Sequence, residues 1–291
     1  MRKSALRFVL LMLPISISCI HVIDAPYPVK EDRKEALLFE KDGLSHLVVR
    51  TRISSPELPR SLAWIIPTPR VPVVVKEESA ELFPQLYKLI PDRVQITPSL
   101  YHFLPSCSTL PMPGQAIVVH QPQSTEHYTM QIIEIRSDNA SEALNAWLVK
   151  NGFSPVPEQN QRHYLMPGRA FVCVKIRKLP EGAAAQIPPV HLAWHGDEAT
   201  LPLKFSSHSG QFDVDLYVLS KNSLPADQFS EWHFRRVGAA AVPGSAVERS
   251  LERLAGKHAM ITRYHARAFN SHGHEVTRLT ADPRIDLGRL K

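Results

Sequence analysis

Cysteine and glycine are both scarce in this chain of 291 residues, which has 3 cysteines and 12 glycines against 25 prolines. So few thiols exclude a small scaffold held together by many disulfides. Proline cannot donate to a β-ladder, so its excess over glycine predicts strands that end at sheet edges and many fixed turns.

The sequence signatures of common hydrolases and nucleotide-binding enzymes are also missing. The chain contains no Gly-x-Ser-x-Gly elbow, no His-Glu-x-x-His helix and no Gly-x-x-x-x-Gly-Lys phosphate loop. Their absence removes the simplest arguments for an enzyme. The sequence predicts neither catalytic residues nor a bound cofactor.

The first residues have the pattern of a secretory signal. Arg2, Lys3 and Arg7 flank the start of an apolar run at 8–13, which small and β-branched residues follow. This run is too short to cross a bilayer, which takes about 20 apolar residues. A charged start before a short apolar stretch is typical of a signal peptide. We therefore predict a signal peptide at 1–18 and an exported protein that is periplasmic or associated with the outer membrane.

Cys19 lies directly after this run, where bacterial lipoproteins carry the cysteine that becomes acylated. Ser18 suits that pattern, but Ser16 stands where an aliphatic residue is usual. Two outcomes stay open, namely acylation of Cys19 and ordinary cleavage after Ser18. We predict acylation, which would anchor the protein to the membrane, and a polar tether at 19–35.

The charge balance argues against nucleic acid as a partner. Arg2, Lys3 and Arg7 would leave with the signal, which would reduce the formal net charge from +6 to +3. The remaining basic residues are spread along the chain and form no stripe that would follow a phosphate backbone. The predicted partners are an envelope protein and, through the lipid anchor, the membrane.

Alternating apolar and polar residues in the mature chain predict a mostly antiparallel sheet. Asp42 and Gly43 between two apolar runs are typical of a β-hairpin, because glycine adopts a positive φ without steric cost. Helical spacing appears at 79–90, 138–151 and 245–255. The predicted fold class is therefore α+β, with two or three helices packed on the sheet.

The same pattern predicts how the mature chain is divided. A core at 36–222 includes a long proline-rich excursion at 91–126, and 223–291 adds a helix, a strand and a loose tail. Trp147 is the predicted anchor of its helix on the sheet. The excursion and the proline-terminated strands at one rim would form a contact surface.

Histidine is the one enriched reactive residue type, with 14 copies. His191 and His195 lie four residues apart on a predicted strand and so share a face, and Asp197 is close in sequence. These three are candidate metal ligands, although zinc or copper takes three or four convergent ligands. Histidines on a solvated strand face explain the same pattern, so both interpretations stay open.

Two thiols would remain after acylation of Cys19. Cys107 and Cys173 are a candidate disulfide, because an exported protein meets an oxidising compartment. Cys173 lies within an alternating strand, where a buried structural thiol is more common than a nucleophile. Asp213 and Asp215 share a face of another strand, and we predict that both face solvent.

Segments between residues 36 and 220 follow the order and spacing of a known bacterial family. They are Ala36-Leu37-Leu38, Asp42-Gly43, 48–52, Leu62 to Pro69 with Pro72, Ala143 to Leu148, Asn151-Gly152-Phe153, Leu201-Pro202-Leu203 and 216–219. This series resembles the domain-of-unknown-function family 2330. Many members carry a cysteine-rich segment before the first strand, whereas 26–35 has no cysteine here. Members look like exported proteins without an assigned activity, so the resemblance implies location and fold but no mechanism.

We therefore predict an exported envelope lipoprotein of unknown role that binds or scaffolds a partner and is not an enzyme. The alternative is an exported metal-binding protein or metal-dependent hydrolase that uses His191 and His195. A pocket that collects these histidines with acidic residues would favour the alternative, whereas scattered solvent-facing imidazoles would favour the first function.

Overall fold

The computed structural model describes residues 20–22, 30–54, 62–92, 116–177, 184–206, 211–242, 249–256, 260–270 and 282–286. Its strands are β1 (Ile20–Val22), β2 (Lys30–Lys41), β3 (Leu44–Ser54), β4 (Leu62–Thr68), β5 (Val74–Glu77), β6 (Ile117–Val119), β7 (Gln123–Ser124), β8 (Tyr128–Ile135), β9 (Ala170–Ile176), β10 (Ala184–Gln186), β11 (Val190–His195), β12 (Glu198–Thr200), β13 (Gln211–Ser220), β14 (Arg235–Ala241), β15 (Met260–Asn270) and β16 (Arg284–Asp286). Its α-helices are short: α1 (Leu82–Leu89), α2 (Ser141–Lys150), α3 (Glu158–Gln161) and α4 (Arg249–Ala255). The described chain is therefore mainly β, and the α+β prediction holds in the coarse sense that a few helices accompany the sheets. No helix in these ranges is long and apolar enough to cross a membrane.

The strands form two large sheets and one small one. The first sheet has the order β1-β4-β9-β8-β6, with β7 also paired to β8, and every pair in it is antiparallel. The second has the order β14-β15-β13-β2-β3-β11-β5, with β10 also paired to β3. Its β2 and β13 run parallel, so this sheet is mixed. β12 and β16 form the small sheet.

The β2–β3 hairpin lies at the centre of the second sheet. Asp42 and Gly43 form its turn with φ of 54° and 76°, and the N–H of Gly43 donates to Oε1 of Glu40 at 2.9 Å. A turn with positive φ at both central residues matches the twist of the strands that it joins. The predicted hairpin is confirmed.

Apolar residues of both large sheets meet in a continuous core that includes the buried Trp64 and Trp194. α2 packs on this core through Leu144 and Leu148, which are fully buried. Trp147 is only partly buried, and the centroid of its ring lies 5.9 Å from that of Phe153. The predicted anchor role of Trp147 is wrong, because the buried face of α2 is centred on the two leucines four residues apart.

Two helices cover the opposite face of the second sheet. Leu82, Phe83 and Leu86 of α1 and Leu251 and Leu254 of α4 pack in a second cluster with side chains of the central strands. The second sheet is thus buried on both faces in its centre. This placement brings Glu78, at the edge of the second sheet, within 2.7 Å of Arg253 on α4.

The predicted tether at 19–35 is partly folded. β1 pairs with β4, and β2 begins at Lys30. Lys34 lies 3.4 Å from the carboxylate of Glu31, and both residues are buried. The charged residues of this segment indicated exposure to solvent, because a buried ion pair leaves no apolar pattern in the sequence. The chain instead forms a central strand here.

The chain after residue 222 completes the second sheet, because β15 pairs with both β13 and β14. The predicted loose tail contributes β16, which pairs with β12. β6 and β7 come from the predicted excursion at 91–126 and lie at the edge of the first sheet. Residues 93–115 of that excursion lie outside the described residues.

Candidate functional site

Three prolines meet at one end of the first sheet, around a pocket of ≈ 70 Å³. Pro67 and Pro69 belong to the end of β4 and the residues after it, and Pro202 follows β12. Arg169, Glu198, Thr200, Arg284, His163, Tyr164 and Asp282 complete the lining. We call this surface the proline rim. Two of the segments that carry the family resemblance converge here.

Asp282 is the buried acid of the proline rim. Its Oδ2 accepts a hydrogen bond from the Tyr164 hydroxyl at 2.6 Å, and its Oδ1 accepts one from the backbone N–H of Lys204 at 2.7 Å. Burial raises the pKa of Asp282 to about 6, although these hydrogen bonds oppose the rise. Nε2 of His163 lies 3.9 Å from Oδ2, and burial lowers the pKa of His163 to about 4. At neutral pH the imidazole is therefore uncharged and forms no ion pair with Asp282.

The outer part of the proline rim carries both signs of charge. Nη1 of Arg284 lies 3.5 Å from Oε2 of Glu198, and both side chains are about half exposed. Nη1 of Arg169 donates to the carbonyl oxygen of His163 at 2.7 Å. The pocket is far smaller than the 300–1,000 Å³ typical of small-molecule sites. The proline rim is therefore a shallow surface with charged side chains of both signs and has little room for a small molecule.

His191 lies in a buried chain of hydrogen bonds at the edge of the second sheet. Its Nδ1 is 2.9 Å from Oε1 of Glu78, and its Nε2 is 2.8 Å from Nδ1 of His46. Nε2 of His46 is 3.2 Å from the carbonyl oxygen of Lys41. Both nitrogens of His191 are therefore occupied by protein groups. We call Glu78, His191 and His46 the histidine chain.

The register of the hairpin positions His46. It lies directly opposite Phe39 on the neighbouring strand, and the two rings stack at 4.5 Å with an interplanar angle of 7°. His191 is on β11, and Glu78 follows β5, the next strand of the sheet. Three strands thus bring the histidine chain together from distant parts of the sequence.

The two imidazoles of the histidine chain carry too few protons for its contacts when both are neutral. With Glu78 ionised, each of the three contacts in the chain needs one N–H donor. Two neutral imidazoles supply only two N–H groups between them. Burial lowers the pKa of His46 to about 4 and also lowers the pKa of His191, where Glu78 opposes the shift. Burial alone would raise the pKa of Glu78, but hydrogen bonds from His191 and Lys76 hold it at about 2. At neutral pH one contact therefore lacks its proton.

A cavity of ≈ 270 Å³ opens beside the histidine chain. Its lining comes from five elements and consists of Phe39, Lys41, Asp42, Leu44, His46, Val74, Lys76, His191, Arg253 and Leu254. This lining includes no serine, threonine or cysteine that would serve as a nucleophile. Its polar groups are instead mainly cationic or imidazole side chains.

The other two predicted metal ligands do not join His191. His195 and Asp197 are exposed, at the point where β11 ends and the chain turns at Gly196, whereas His191 is buried. Within the described ranges, no group of three or more His, Cys, Asp or Glu residues is arranged to hold a metal ion. The structure does not bring the predicted ligands together.

Cys173 lies in the middle of β9, between β4 and β8. It is buried, and burial raises the pKa of its thiol. At neutral pH the group is therefore the protonated thiol, which is not the nucleophilic form. Cys19 and Cys107 lie outside the described residues, so acylation and the disulfide stay predictions.

Sequence reasoning missed a buried ionic cluster around Asp215. This residue is fully buried, and its Oδ1 accepts hydrogen bonds from Nη2 of Arg263 at 2.6 Å and from Nδ1 of His265 at 2.9 Å. The prediction of solvent exposure is wrong, because β15 places both partners beside Asp215. Only the register of β13 and β15, which the sequence does not reveal, would have identified them.

A bacterial family model matches residues 14–278, and its description is an uncharacterized protein conserved in bacteria, domain of unknown function 2330. No curated protein matches this sequence. Among solved structures, the crystal structure of baculovirus P35 has a TM-score of 0.46 and 11% identity, and the alignment covers 90% of this chain and 97% of that chain. A mutated baculovirus P35 after caspase cleavage has a TM-score of 0.44 and 8% identity, with 87% and 99% covered. Neither likeness is close enough to inform function. The family match covers most of the chain and confirms the resemblance, so this protein belongs to the bacterial domain-of-unknown-function family 2330.

Proposed function

We propose that this protein is an exported lipoprotein of the bacterial envelope that binds a protein partner through the proline rim. The observation that carries the proposal is the convergence of two family-like segments, around Pro67-Thr68-Pro69 and Leu201-Pro202-Leu203, on one surface. The C-terminal residues Asp282 and Arg284 reach the same place. Segments distant in sequence thus build a single rim.

The physical properties of the proline rim suit a partner of mixed charge. Pro67 and Pro202 are buried and Pro69 is half-buried, so their fixed rings form a rigid platform beneath the exposed side chains of the rim. Arg169, Glu198 and Arg284 around this platform offer hydrogen bonds to both signs of charge. The small volume leaves little room to enclose a substrate.

The N-terminal sequence supports the proposed location. A charged start, a short apolar run and Cys19 directly after it are the features of a lipoprotein signal. Intact-mass analysis of the membrane fraction should show loss of residues 1–18 and addition of acyl chains to Cys19. Cys19→Ala should release the protein from membranes or stop its maturation. Soluble protein that retains an unmodified Cys19 within the chain would contradict the anchor.

Photo-crosslinking in cells tests the proline rim itself. A crosslinking amino acid at Glu198, which is exposed on the rim, should give one discrete protein adduct. The matched control places the same group at Arg235, which is exposed on β14 of the other sheet. Exchanging Arg284 for Glu should weaken the adduct at position 198 because it reverses a charge beside it. Equal adducts from both positions, or none from position 198, would refute the proposed surface.

The metal-dependent alternative has no specific observation in its favour. Both nitrogens of His191 are occupied by His46 and Glu78. His195 and Asp197 lie exposed at the end of β11. Binding through the proline rim is therefore the function that the geometry supports best.

A further inference from the structure

The cavity beside His46 has a cationic wall that three separate elements supply. Lys41 ends β2, Lys76 lies on β5 and Arg253 lies on α4. Asp42 is the one acidic residue in the lining, and it is exposed in the hairpin turn. Positive groups that converge from distant parts of a chain on one cavity indicate an anion site.

Two of these cations, Lys76 and Arg253, are held in place by a single buried carboxylate. Nζ of Lys76 lies 2.7 Å from Oε1 of Glu78, and Nη2 of Arg253 lies 2.7 Å from its Oε2. Nζ of Lys41 donates to the carbonyl oxygen of Arg253 at 2.6 Å. An ammonium has three N–H donors and a guanidinium has five. Each of the three cations therefore has more donors than these contacts use.

The charges around the cavity do not cancel. Lys41, Lys76 and Arg253 face Asp42 and Glu78, so the formal charge is +1 while both imidazoles are neutral. A negative ligand would offset this excess, and its attraction to the cations is stronger in a partly enclosed site than in bulk water. The cavity thus carries an excess of positive charge, which favours a negative ligand.

Exposure decides which groups a ligand would meet. The side chains of Lys76 and Arg253 are 43% and 60% exposed, whereas that of Glu78 is 2% exposed. An incoming anion therefore reaches the cations and stays separated from the carboxylate behind them. Phe39 and Leu254 add apolar wall to the same cavity.

We infer that this cavity binds a phosphate group, with Arg253 and Lys76 as its main contacts. The planar fork of an arginine pairs with two phosphate oxygens, and a lysine ammonium supplies a point charge for the third. The volume of ≈ 270 Å³ lies just below the range of drug-sized sites and suits one ionic group with a short organic part. This site is separate from the proline rim and does not depend on its proposed role.

Calorimetric titration of the purified mature protein with inorganic phosphate tests the inference. Arg253→Ala should weaken binding by about tenfold or more, because it removes the bidentate contact. The matched control is Arg162→Ala, since Arg162 is 57% exposed and pairs with Glu158 outside the cavity. The control should change the affinity by less than about twofold.

A vesicle arm distinguishes free phosphate from a lipid headgroup. It uses mature protein with Cys19→Ala, because acyl chains would bind vesicles by themselves. Flotation with phosphatidylglycerol vesicles that Arg253→Ala abolishes and inorganic phosphate competes away would identify a headgroup as the source. Calorimetric binding of inorganic phosphate without flotation would identify the free ion. Either result supports the phosphate site.

Other outcomes would overturn it. Absence of saturable phosphate binding up to about 10 mM would mean that the cationic wall holds no anion of this class. Equal weakening by Arg253→Ala and Arg162→Ala would show diffuse charge attraction only. Lys76→Met is measured in parallel, so that an unfolded Arg253→Ala does not leave the result open. A folded Lys76→Met that binds phosphate like the parent protein would also count against the site.

Discussion

Two carboxylates of the second sheet are both buried, but their cationic partners differ in exposure to solvent. Asp215 is paired with Arg263, and neither side chain is exposed at all. Glu78 is equally inaccessible, but its partners Lys76 and Arg253 reach the surface. We call the first the sealed cluster, because its central pair is shielded from solvent although Asp92 and Arg33 at its margin are 31% and 22% exposed. We call the second the open cluster, because it opens onto a cavity.

The difference separates an ion pair that solvent does not reach from one whose cations solvent reaches. The sealed cluster joins β13, β15 and the end of α1, because Arg263 also donates to the carbonyl oxygen of Ile90 and contacts Asp92 at 2.7 Å. Breaking it strands a charge where water cannot compensate. In the open cluster Lys76 and Arg253 can rehydrate when a contact with Glu78 breaks, because their side chains are 43% and 60% exposed.

Arg263→Met should give the largest loss of stability, about 3–5 kcal/mol, because it leaves Asp215 buried without its main counter-charge. Urea unfolding measures this loss. The control is Arg33→Met, since Arg33 lies 3.5 Å from Asp215 and is 22% exposed. The control should cost about 1 kcal/mol or less. Similar losses for the two variants would show that the cluster is not sealed.

Acid should destabilise the histidine chain beside the open cluster. The pKa of His46 is lowered to about 4, below its ordinary value of 6.5, so the unfolded chain binds a proton first. The stability that this difference contributes is present above pH 6.5 and is lost as the pH falls towards 4. It amounts to roughly 3 kcal/mol. His46→Gln should flatten the stability profile in that window.

Other groups titrate in the same pH range, so the informative quantity is the difference in stability between the parent protein and the variant at each pH. His163, whose pKa is also lowered to about 4, adds acid sensitivity of the same sign. The pKa of Asp282 is raised to about 6, so this residue adds stability to the folded protein as the pH falls below 6. Parallel profiles for the parent and His46→Gln would show that His46 is not buried as described.

Glu78→Gln should cost less, about 1–3 kcal/mol, because the amide keeps the shape while Lys76 and Arg253 turn to water. Chemical denaturation checks the value. Asp215→Asn is the comparison within the sealed cluster, where Arg263 cannot rehydrate, and it should cost more. If Glu78→Gln proved as damaging as Asp215→Asn, the open cluster would also be structural.

Arg253→Ala should have the smallest effect on stability, below about 1 kcal/mol, because its side chain is 60% exposed. A thermal melt measures the shift. The same substitution is expected to reduce phosphate affinity strongly. A residue that matters for binding and little for folding would place the open cluster among functional sites.

Local patterns in the sequence were sufficient for much of the fold. Asp42-Gly43 predicted the central hairpin, and the strand predicted to carry His191 and His195 is β11. Turn chemistry and side-chain alternation act between neighbouring residues, so they are visible in one sequence. The parallel pairing of β2 with β13 joins distant residues and left no such signal.

The candidate sites were harder to predict for the same reason. His191 was identified as a residue of interest, but its partners His46 and Glu78 come from other strands. Spacing along β11 suggested His195 and Asp197 instead, because sequence reasoning sees neighbours first. Lys34 and Glu31 were assigned to a tether because charged residues indicate exposure to solvent. Their pairing in the folded protein, where both are buried, is not visible in the sequence.

The parallel pairing of β2 with β13 also determines when the protein can fold. Leu38 lies opposite Val218, 180 positions later in the chain. At about 5–20 residues per second, a ribosome takes roughly 10–35 s to make the intervening segment. The central sheet cannot close before the later strand exists, and such non-local pairing is slow even then. All strands of the first sheet lie before residue 177, so the two large sheets become complete at different stages of synthesis.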